Sequence, residues 1–154
     1  MEQNRETIGQ SAQKHFEGGF YCAESVVVSV TGAYGIESDL FPKAATAFCS
    51  GMARTCGTCG ALTGAMMGLS AVLGRNRPDE SVDRVYDATQ QLIRRFEEAF
   101  GSRNCHEILG CDLGTPEGQA IFKKEQLREG CIKIAGRAAE MAGEILSEKK
   151  EDGK

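Results

Sequence analysis

The chain has 154 residues, a formal net charge of -4, 41% hydrophobic residues and 26% charged residues. These values are ordinary for a globular domain, and the acidic balance excludes the basic footprint of a nucleic-acid-binding protein. A chain of this length is long enough to bury a real core as one domain. We therefore expect a single domain over residues 1–154 and no nucleic-acid partner.

The N-terminal residues Met1 to Glu6 are polar and mixed in charge. They lack the apolar core of a signal peptide, so we expect a cytoplasmic protein. Thiols stay reduced in that compartment, and an odd number of cysteines, seven, also argues against a disulfide framework.

Apolar residues recur at helical spacing along almost the whole chain, and alternating segments are scarce. The pattern predicts an all-α fold, a single-domain helical bundle of about five to seven helices. The residues Thr115-Pro116-Glu117 also have the pattern of a helix start. A flexible charged tail is expected from about residue 147. The predicted helices are Ile8 to Phe16, stopped by Gly18; Cys22 to Tyr34; a third capped by Ser38 and Asp39; one after Cys59; Asp79 to Phe100, opened by Pro78; a short one between Asn104 and Gly110, with Asn104 and Glu107 at capping-box spacing; and Cys131 to Leu146.

The segment from Thr55 to Gly74 carries no charge and has the length of a membrane span. It is rich in glycine and contains no Ile and no aromatic residue, so we interpret it as the buried central helix of a bundle. Gly60, Gly64 and Gly68 share one face of that helix. A bare glycine face suits either tight helix packing or the close approach of a cofactor.

Four cysteines each follow a glycine, a cap or a turn and precede a predicted helix: Cys22, Cys59, Cys105 and Cys131. A helix N-terminus favours the thiolate, which is the form that reacts and binds metal. Four thiolates at converging helix ends could hold an iron–sulfur cluster or a tetrahedral zinc ion. We therefore predict these four as the cofactor and metal ligands.

Cys56 and Cys59 form a C-x-x-C pair, which has a second interpretation as a catalytic redox dithiol in a metal-free protein. Cys59 would be its low-pKa member if a helix begins there. The strand that precedes such a pair in thioredoxin-like proteins is missing, and a second C-x-x-C pair is absent from the sequence. Simple burial of two small side chains is the third interpretation.

The remaining cysteines and the two histidines are weaker candidates for a functional site. Cys49 is predicted as a core residue and Cys111 as an extra ligand or resolving thiol. His15 is predicted at the surface, whereas His106 could tune the neighbouring Cys105. The frame Ser102-Arg103-Asn104-Cys105-His106 lacks the first cysteine of a c-type haem site, so no haem is expected.

Four blocks of the sequence resemble the redox-active C_GCAxxG_C_C proteins, and the resemblance runs from about Phe20 to Leu146. The middle block departs from the family pattern, since it reads Thr58-Cys59-Gly60-Ala61. The resemblance implies a small, mainly helical microbial protein with redox cysteines at Cys22, Cys59, Cys105 and Cys131. Split-Soret cytochromes, which combine a similar domain with haem and an iron–sulfur centre, are related. The blocks are Cys22-Ala23-Glu24-Ser25, Cys59-Gly60-Ala61-Leu62-Thr63-Gly64, Cys105 with Ile108 to Gly118, and Cys131.

Three functions remain open on the sequence. The leading one is a cysteine-based redox protein that binds an iron–sulfur cluster and transfers electrons. The alternatives are a metal-free thiol/disulfide oxidoreductase using Cys56 and Cys59, and a structural zinc module for protein interaction. The redox partner is unknown, no membrane span is expected, and a homo-oligomer is compatible with the sequence.

Overall fold

A computed structural model describes residues 5–152, and within that range the fold is all-α, as predicted. Nine helical segments follow one another, together with a 3-10 turn at Thr46–Phe48. Extended pairing within residues 5–152 is limited to one antiparallel bridge between Thr58 and Asn104. The segments are α1 Ile8–Glu17, α2 Cys22–Ala33, α3 Leu40–Ala45, α4 Cys49–Arg54, α5 Gly60–Leu73, α6 Asp83–Phe100, α7 Cys105–Leu109, α8 Pro116–Lys124 and α9 Leu127–Asp152.

Helix α5 lies at the centre of the bundle and packs against α2, α6 and α9, while α1 packs against α2 and α9. The core is built mainly from small and aliphatic side chains, with Phe96 the largest fully buried one. Leu62 and Leu69 of α5 are completely buried in it. The uncharged central segment is thus a buried core helix, as the sequence predicted, and no helix within residues 5–152 has the length and apolarity to cross a membrane.

The glycine face of α5 packs directly on the backbone of α2. A Cβ atom added at Gly64 would lie 2.5 Å from the Ala23 carbonyl oxygen and 2.9 Å from its Cα. One added at Gly68 would lie 2.6 Å from Cγ1 of Val30. At Gly64 and Gly68 this face therefore serves tight helix packing, one of its two interpretations. The packing also brings the first turns of α2 and α5 side by side.

Several predicted helix ends are confirmed. The Thr115 hydroxyl accepts a hydrogen bond from the Gly118 backbone N–H at 3.0 Å and so caps α8, whose first residue is Pro116. Gly101 and Gly110 end α6 and α7 with φ values of 81° and 74°. These left-handed conformations suit glycine, which has no Cβ to clash.

Helix α6 begins later than predicted, at Asp83 instead of Asp79. Pro78 lies in a preceding turn instead of opening the helix. The Arg75 guanidinium donates to the carbonyl oxygens of Pro78 and Glu80 at 2.8 and 3.3 Å, which holds that turn. Pro78 therefore belongs to this turn and does not begin the helix, which explains why α6 starts four residues later than predicted.

The last helix begins earlier than predicted, at Leu127 instead of Cys131. Gln126, with φ 53°, makes the left-handed break between α8 and α9. A side chain at Gly130 would meet open space, so this glycine does not stop the helix. Cys131 consequently lies in the second turn of α9, not at a helix start.

The capping box predicted at Asn104 and Glu107 is absent, because the Asn104 side chain makes no capping bond to the backbone. Its amide instead donates to the Glu107 carboxylate at 3.0 Å. Residues 147–152, predicted as part of a flexible tail, continue α9. Arg95 pairs with Glu148 at 2.9 Å and Lys149 with Asp87, so α6 holds this end of the helix. The rest of the predicted tail, residues 153–154, lies outside the described residues.

Segment α4 is a left-handed turn, which the sequence did not predict. Five consecutive residues from Ser50 to Arg54 have φ between 58° and 67°. For residues other than glycine this conformation costs about 1–2 kcal/mol each. Gly51, the one glycine of the turn, lies where a Cβ would be 2.5 Å from Cβ of Cys105. The turn thus lets the chain approach α7 closely.

Candidate functional site

A cavity of about 570 Å³ lies where the starts of α2, α5 and α7 meet the first turns of α9. The structure brings all four predicted ligand cysteines to its wall, although they lie far apart in the sequence. Three of them are at helix starts: Cys22 and Cys105 are the first residues of α2 and α7, and Cys59 is the N-cap of α5. The cysteines that line the cavity are Cys22, Cys59, Cys105 and Cys131.

Backbone hydrogen bonds place Cys59 beside Cys105. The N–H of Cys59 donates to the Arg103 carbonyl at 2.7 Å, and the N–H of Cys105 donates to the Gly57 carbonyl at 2.9 Å. These two bonds flank the bridge between Thr58 and Asn104. A short antiparallel pairing between two loops therefore fixes the two cysteines on one wall, with little contribution from their own side chains.

Gly60 makes room for Cys22. A Cβ atom on Gly60 would overlap the Cys22 sulfur and lie 3.0 Å from the Phe48 carbonyl oxygen. The glycine that follows Cys59 is thus needed to bring the sulfur of α2 against the start of α5. This contact gives a physical reason for the Cys-Gly order in the central motif.

The rest of the cavity wall is mostly apolar but includes three cationic side chains. Arg54, Lys123 and Arg128 line the cavity together with a single carboxylate, Glu129. Arg128 donates to the Phe16 carbonyl at 3.0 Å, and its guanidinium lies 5.5 Å from the centre of the Phe16 ring. The charged residues of the lining therefore leave the cavity with an excess of positive charge.

Burial keeps three of the cavity thiols protonated. It raises the pKa of Cys59 to about 11, that of Cys105 to about 11 and that of Cys131 to about 12. The N–H groups of Ala61 and Leu62 oppose the shift at Cys59 but do not overcome it. The expectation that Cys59 is a low-pKa thiol is therefore wrong, because desolvation outweighs the helix N-terminus.

Cys56, Cys111 and His106 lie close to Cys105 but outside the cavity wall. The Asp112 carboxylate raises the pKa of the Cys56 thiol, while the Gly114 backbone N–H and then Cys56 lower the pKa of Asp112. The buried Nδ1 of His106 has no hydrogen-bond partner among residues 5–152. The two members of the C-x-x-C pair thus have different surroundings. His15 does not line the cavity and is exposed, as predicted.

Cys49 has a more specific setting than the core position predicted for it. It is buried, at 4% exposure, and its thiol lies 3.6 Å from a carboxylate oxygen of Glu24. Hydrogen bonding to Cys22, burial and the Cys22 charge raise its pKa well above the ordinary value. Neither the Cys22–Cys49 contact nor Glu24 was singled out from sequence. The available signal for Glu24 was its position three residues after the N-cap of α2.

All seven cysteines are free thiols in the structure. Within residues 5–152, no three or more His, Cys, Asp or Glu side chains form a group that could hold a metal ion as they stand. The four cavity cysteines therefore surround a space and are not drawn together into a closed ligand set.

Residues 20–145 match the sequence model of the family described as "Putative redox-active protein (C_GCAxxG_C_C)". The chain belongs to this family. The four cysteines on which the resemblance was based are the four that line the cavity of this C_GCAxxG_C_C protein. The family's description places it in a redox-active class. No curated protein and no solved structure matches the chain.

Proposed function

We propose that this protein binds an iron–sulfur cluster through Cys22, Cys59, Cys105 and Cys131 and transfers electrons. The observation that carries the proposal is the single cavity whose wall contains all four sulfurs. The family's redox-active class agrees with it. When bound, the cluster would supply a carrier that takes up and gives back electrons.

The donor set and the space fit such a group. Iron–sulfur clusters are held by cysteine thiolates, most often four of them. The cavity of about 570 Å³ is far larger than the roughly 30 Å³ that one water molecule takes in the liquid, so it can admit a group of several atoms. The proposal rests on four thiols around one space, not on a preformed ion site.

The charges of the wall suit a cofactor that becomes anionic with its ligands. Because burial raises the pKa values of Cys59, Cys105 and Cys131, binding must release their protons. Four thiolates then bring four negative charges to the cavity, more than the positive charge that an iron–sulfur core carries. Arg54, Lys123 and Arg128 lie where they would offset this excess.

The surroundings of the cavity would tune the reduction potential of a bound cluster. Solvent exposure, net charge and hydrogen bonds to sulfur tune iron–sulfur potentials. The N–H groups of Ala61 and Leu62 favour the Cys59 thiolate, although Cys59 makes no side-chain capping hydrogen bond, so they would help to stabilise charge on that ligand. Leu109, Leu113 and Ile134 line the same cavity and would keep water from it.

The dithiol alternative has less support, because Cys56 is absent from the wall that Cys59 lines and the Asp112 carboxylate raises the pKa of its thiol. We expect the anaerobically purified protein to be coloured and to contain iron and acid-labile sulfide. Serine substitution of any one of the four cavity cysteines should reduce both contents, whereas Cys56→Ser, the matched control outside the wall, should retain them.

The same preparation distinguishes the alternatives. A colourless, iron-free protein would overturn the cluster proposal. Stoichiometric zinc with loss of helicity on chelation would assign the site to a zinc module. A cycling disulfide that Cys56→Ser abolishes would assign it to a metal-free oxidoreductase.

A further inference from the structure

Cys22 has a second thiol neighbour that lies outside the cavity wall, Cys49. Cys22 packs against the small buried cluster that contains Cys49, and the Cys22 side chain is the group that most raises the pKa of the Cys49 thiol. The carbonyl of Phe48, the residue before Cys49, lies against the same face of Gly60 as the Cys22 sulfur. This packing places Cys22 beside the segment that carries Cys49.

Glu24 holds this pair in place. One of its carboxylate oxygens accepts hydrogen bonds from the Tyr21 backbone N–H at 3.0 Å and from the Cys49 thiol at 3.6 Å. The other accepts from the Thr46 hydroxyl at 2.9 Å. A single carboxylate thus ties the first turn of α2 to the segment before the left-handed turn, with Cys22 and Cys49 on either side.

The two thiols differ in access. Cys22 is partly exposed and lines the cavity, whereas Cys49 is 4% exposed and sits behind it. An oxidant entering the cavity would therefore meet the Cys22 sulfur first, with Cys49 already beside it. This is the arrangement of an attacked thiol with a resolving partner.

We propose that Cys22 and Cys49 form a reversible disulfide when the cofactor-free protein meets a peroxide, and that this bond withdraws Cys22 from the cavity. The pairing itself is independent of the cofactor. Its consequence, loss of one cluster ligand, rests on the proposed function.

The chemistry balances in two steps. The Cys22 sulfur attacks hydrogen peroxide, so that an S–O bond forms, the O–O bond breaks, and a sulfenic acid and water result. The Cys49 sulfur then attacks the Cys22 sulfur, forming the S–S bond and releasing the oxygen as a second water with the Cys49 proton. The two thiols lose two electrons, which reduce the peroxide. A dithiol reductant reverses the bond by thiol exchange.

Tryptic peptides identify the link without ambiguity. Cleavage after lysine and arginine places Cys22 alone in residues 15–43 and Cys49 alone in residues 44–54, while Cys56 and Cys59 fall together in residues 55–75. The full chain would be reduced, freed of metal with a chelator, treated with one equivalent of hydrogen peroxide, alkylated and digested without reductant. Mass spectrometry then reports which peptides are joined.

We expect peptides 15–43 and 44–54 to be the principal linked pair, and dithiothreitol to separate them. Alkylated Cys49 in the oxidised and then denatured protein would overturn the proposal, as would a principal link between any other two peptides. Because this test uses the wild-type chain, it does not depend on whether a variant folds.

A second experiment tests the consequence. An oxidised sample of the wild type, an oxidised sample later treated with dithiothreitol and a reduced sample are freed of small thiols. Each is incubated anaerobically with ferrous iron and without sulfide, because sulfide would itself reduce a disulfide. We expect the reduced and the dithiothreitol-treated samples to bind iron and the oxidised sample not to bind it. Equal iron binding by the oxidised and reduced samples would overturn the withdrawal of Cys22. A reduced sample that binds no iron, and forms no cluster when sulfide is added, would contradict the proposed function and leave the disulfide assignment intact.

Discussion

Replacing Gly64 by Ala tests the packing that brings the cysteines together. The added methyl carbon would lie 2.5 Å from the Ala23 carbonyl oxygen and 2.9 Å from the Ala23 Cα, both backbone atoms that no side-chain rotation can move away. Such overpacking costs about 1–3 kcal/mol. The gain from alanine's helix propensity is about 1 kcal/mol, so we expect a net loss of about 1 kcal/mol.

The matched control is Gly32→Ala in α2, where an added Cβ meets nothing within 4 Å. It should leave stability unchanged or raise it by up to about 1 kcal/mol. Thermal unfolding followed by circular dichroism would report the Gly64→Ala loss as a drop in Tm of about 2–4 °C, which is what about 1 kcal/mol corresponds to at this size. A Gly64→Ala protein as stable as Gly32→Ala would refute the close contact between α2 and α5.

Three further outcomes follow from the site and its supports. Gly60→Ala should reduce iron content by displacing the sulfur of Cys22, which its Cβ would overlap, and unchanged iron content would contradict that geometry. Because folding raises the pKa values of Cys59 and Cys105 from 9.0 to about 11, the stability that these thiols contribute below pH 9 should be lost as pH rises toward 11, by about 1.4 kcal/mol per pH unit for each thiol. Denaturant titrations of the metal-free wild type against the double serine variant measure this loss, and parallel curves from pH 9 to 11 would argue against it. Thr115→Ala removes the cap of α8 and should cost about 1 kcal/mol in the same titration, whereas no change would mean that the cap is replaced by water.

Many of the helices could be predicted from the local sequence pattern. Apolar residues at helical spacing predicted α1, and apolar segments bounded by a glycine or a cysteine at a turn predicted α2 and the start of α5. The errors came where residues before the helix decided its start. Arg75 holds the turn that delays α6, and the left-handed conformation of Gln126 sets the start of α9.

Of the candidate site, only the cysteines could be predicted from the sequence. Predicted helix starts, of which the one at Cys131 was wrong, and the family blocks marked the four residues. The pairing of Gly57 with Cys105 and the left-handed turn at Ser50–Arg54 depend on tertiary contacts. The pKa prediction for Cys59 failed for the same reason. A helix N-terminus is visible in sequence, whereas the burial that outweighs it is not.

X-ray absorption at the iron edge of the anaerobically prepared protein tests the central claim most directly, because it reports what surrounds the metal. We expect iron bound only to sulfur, with a second iron atom nearby and with Cys22, Cys59, Cys105 and Cys131 supplying the protein ligands. The signal should be lost in a variant that lacks all four cysteines and kept in Cys56→Ser. Iron bound through nitrogen or oxygen, or a protein that takes up no iron, would contradict the proposal that the four cysteines hold an iron–sulfur cluster.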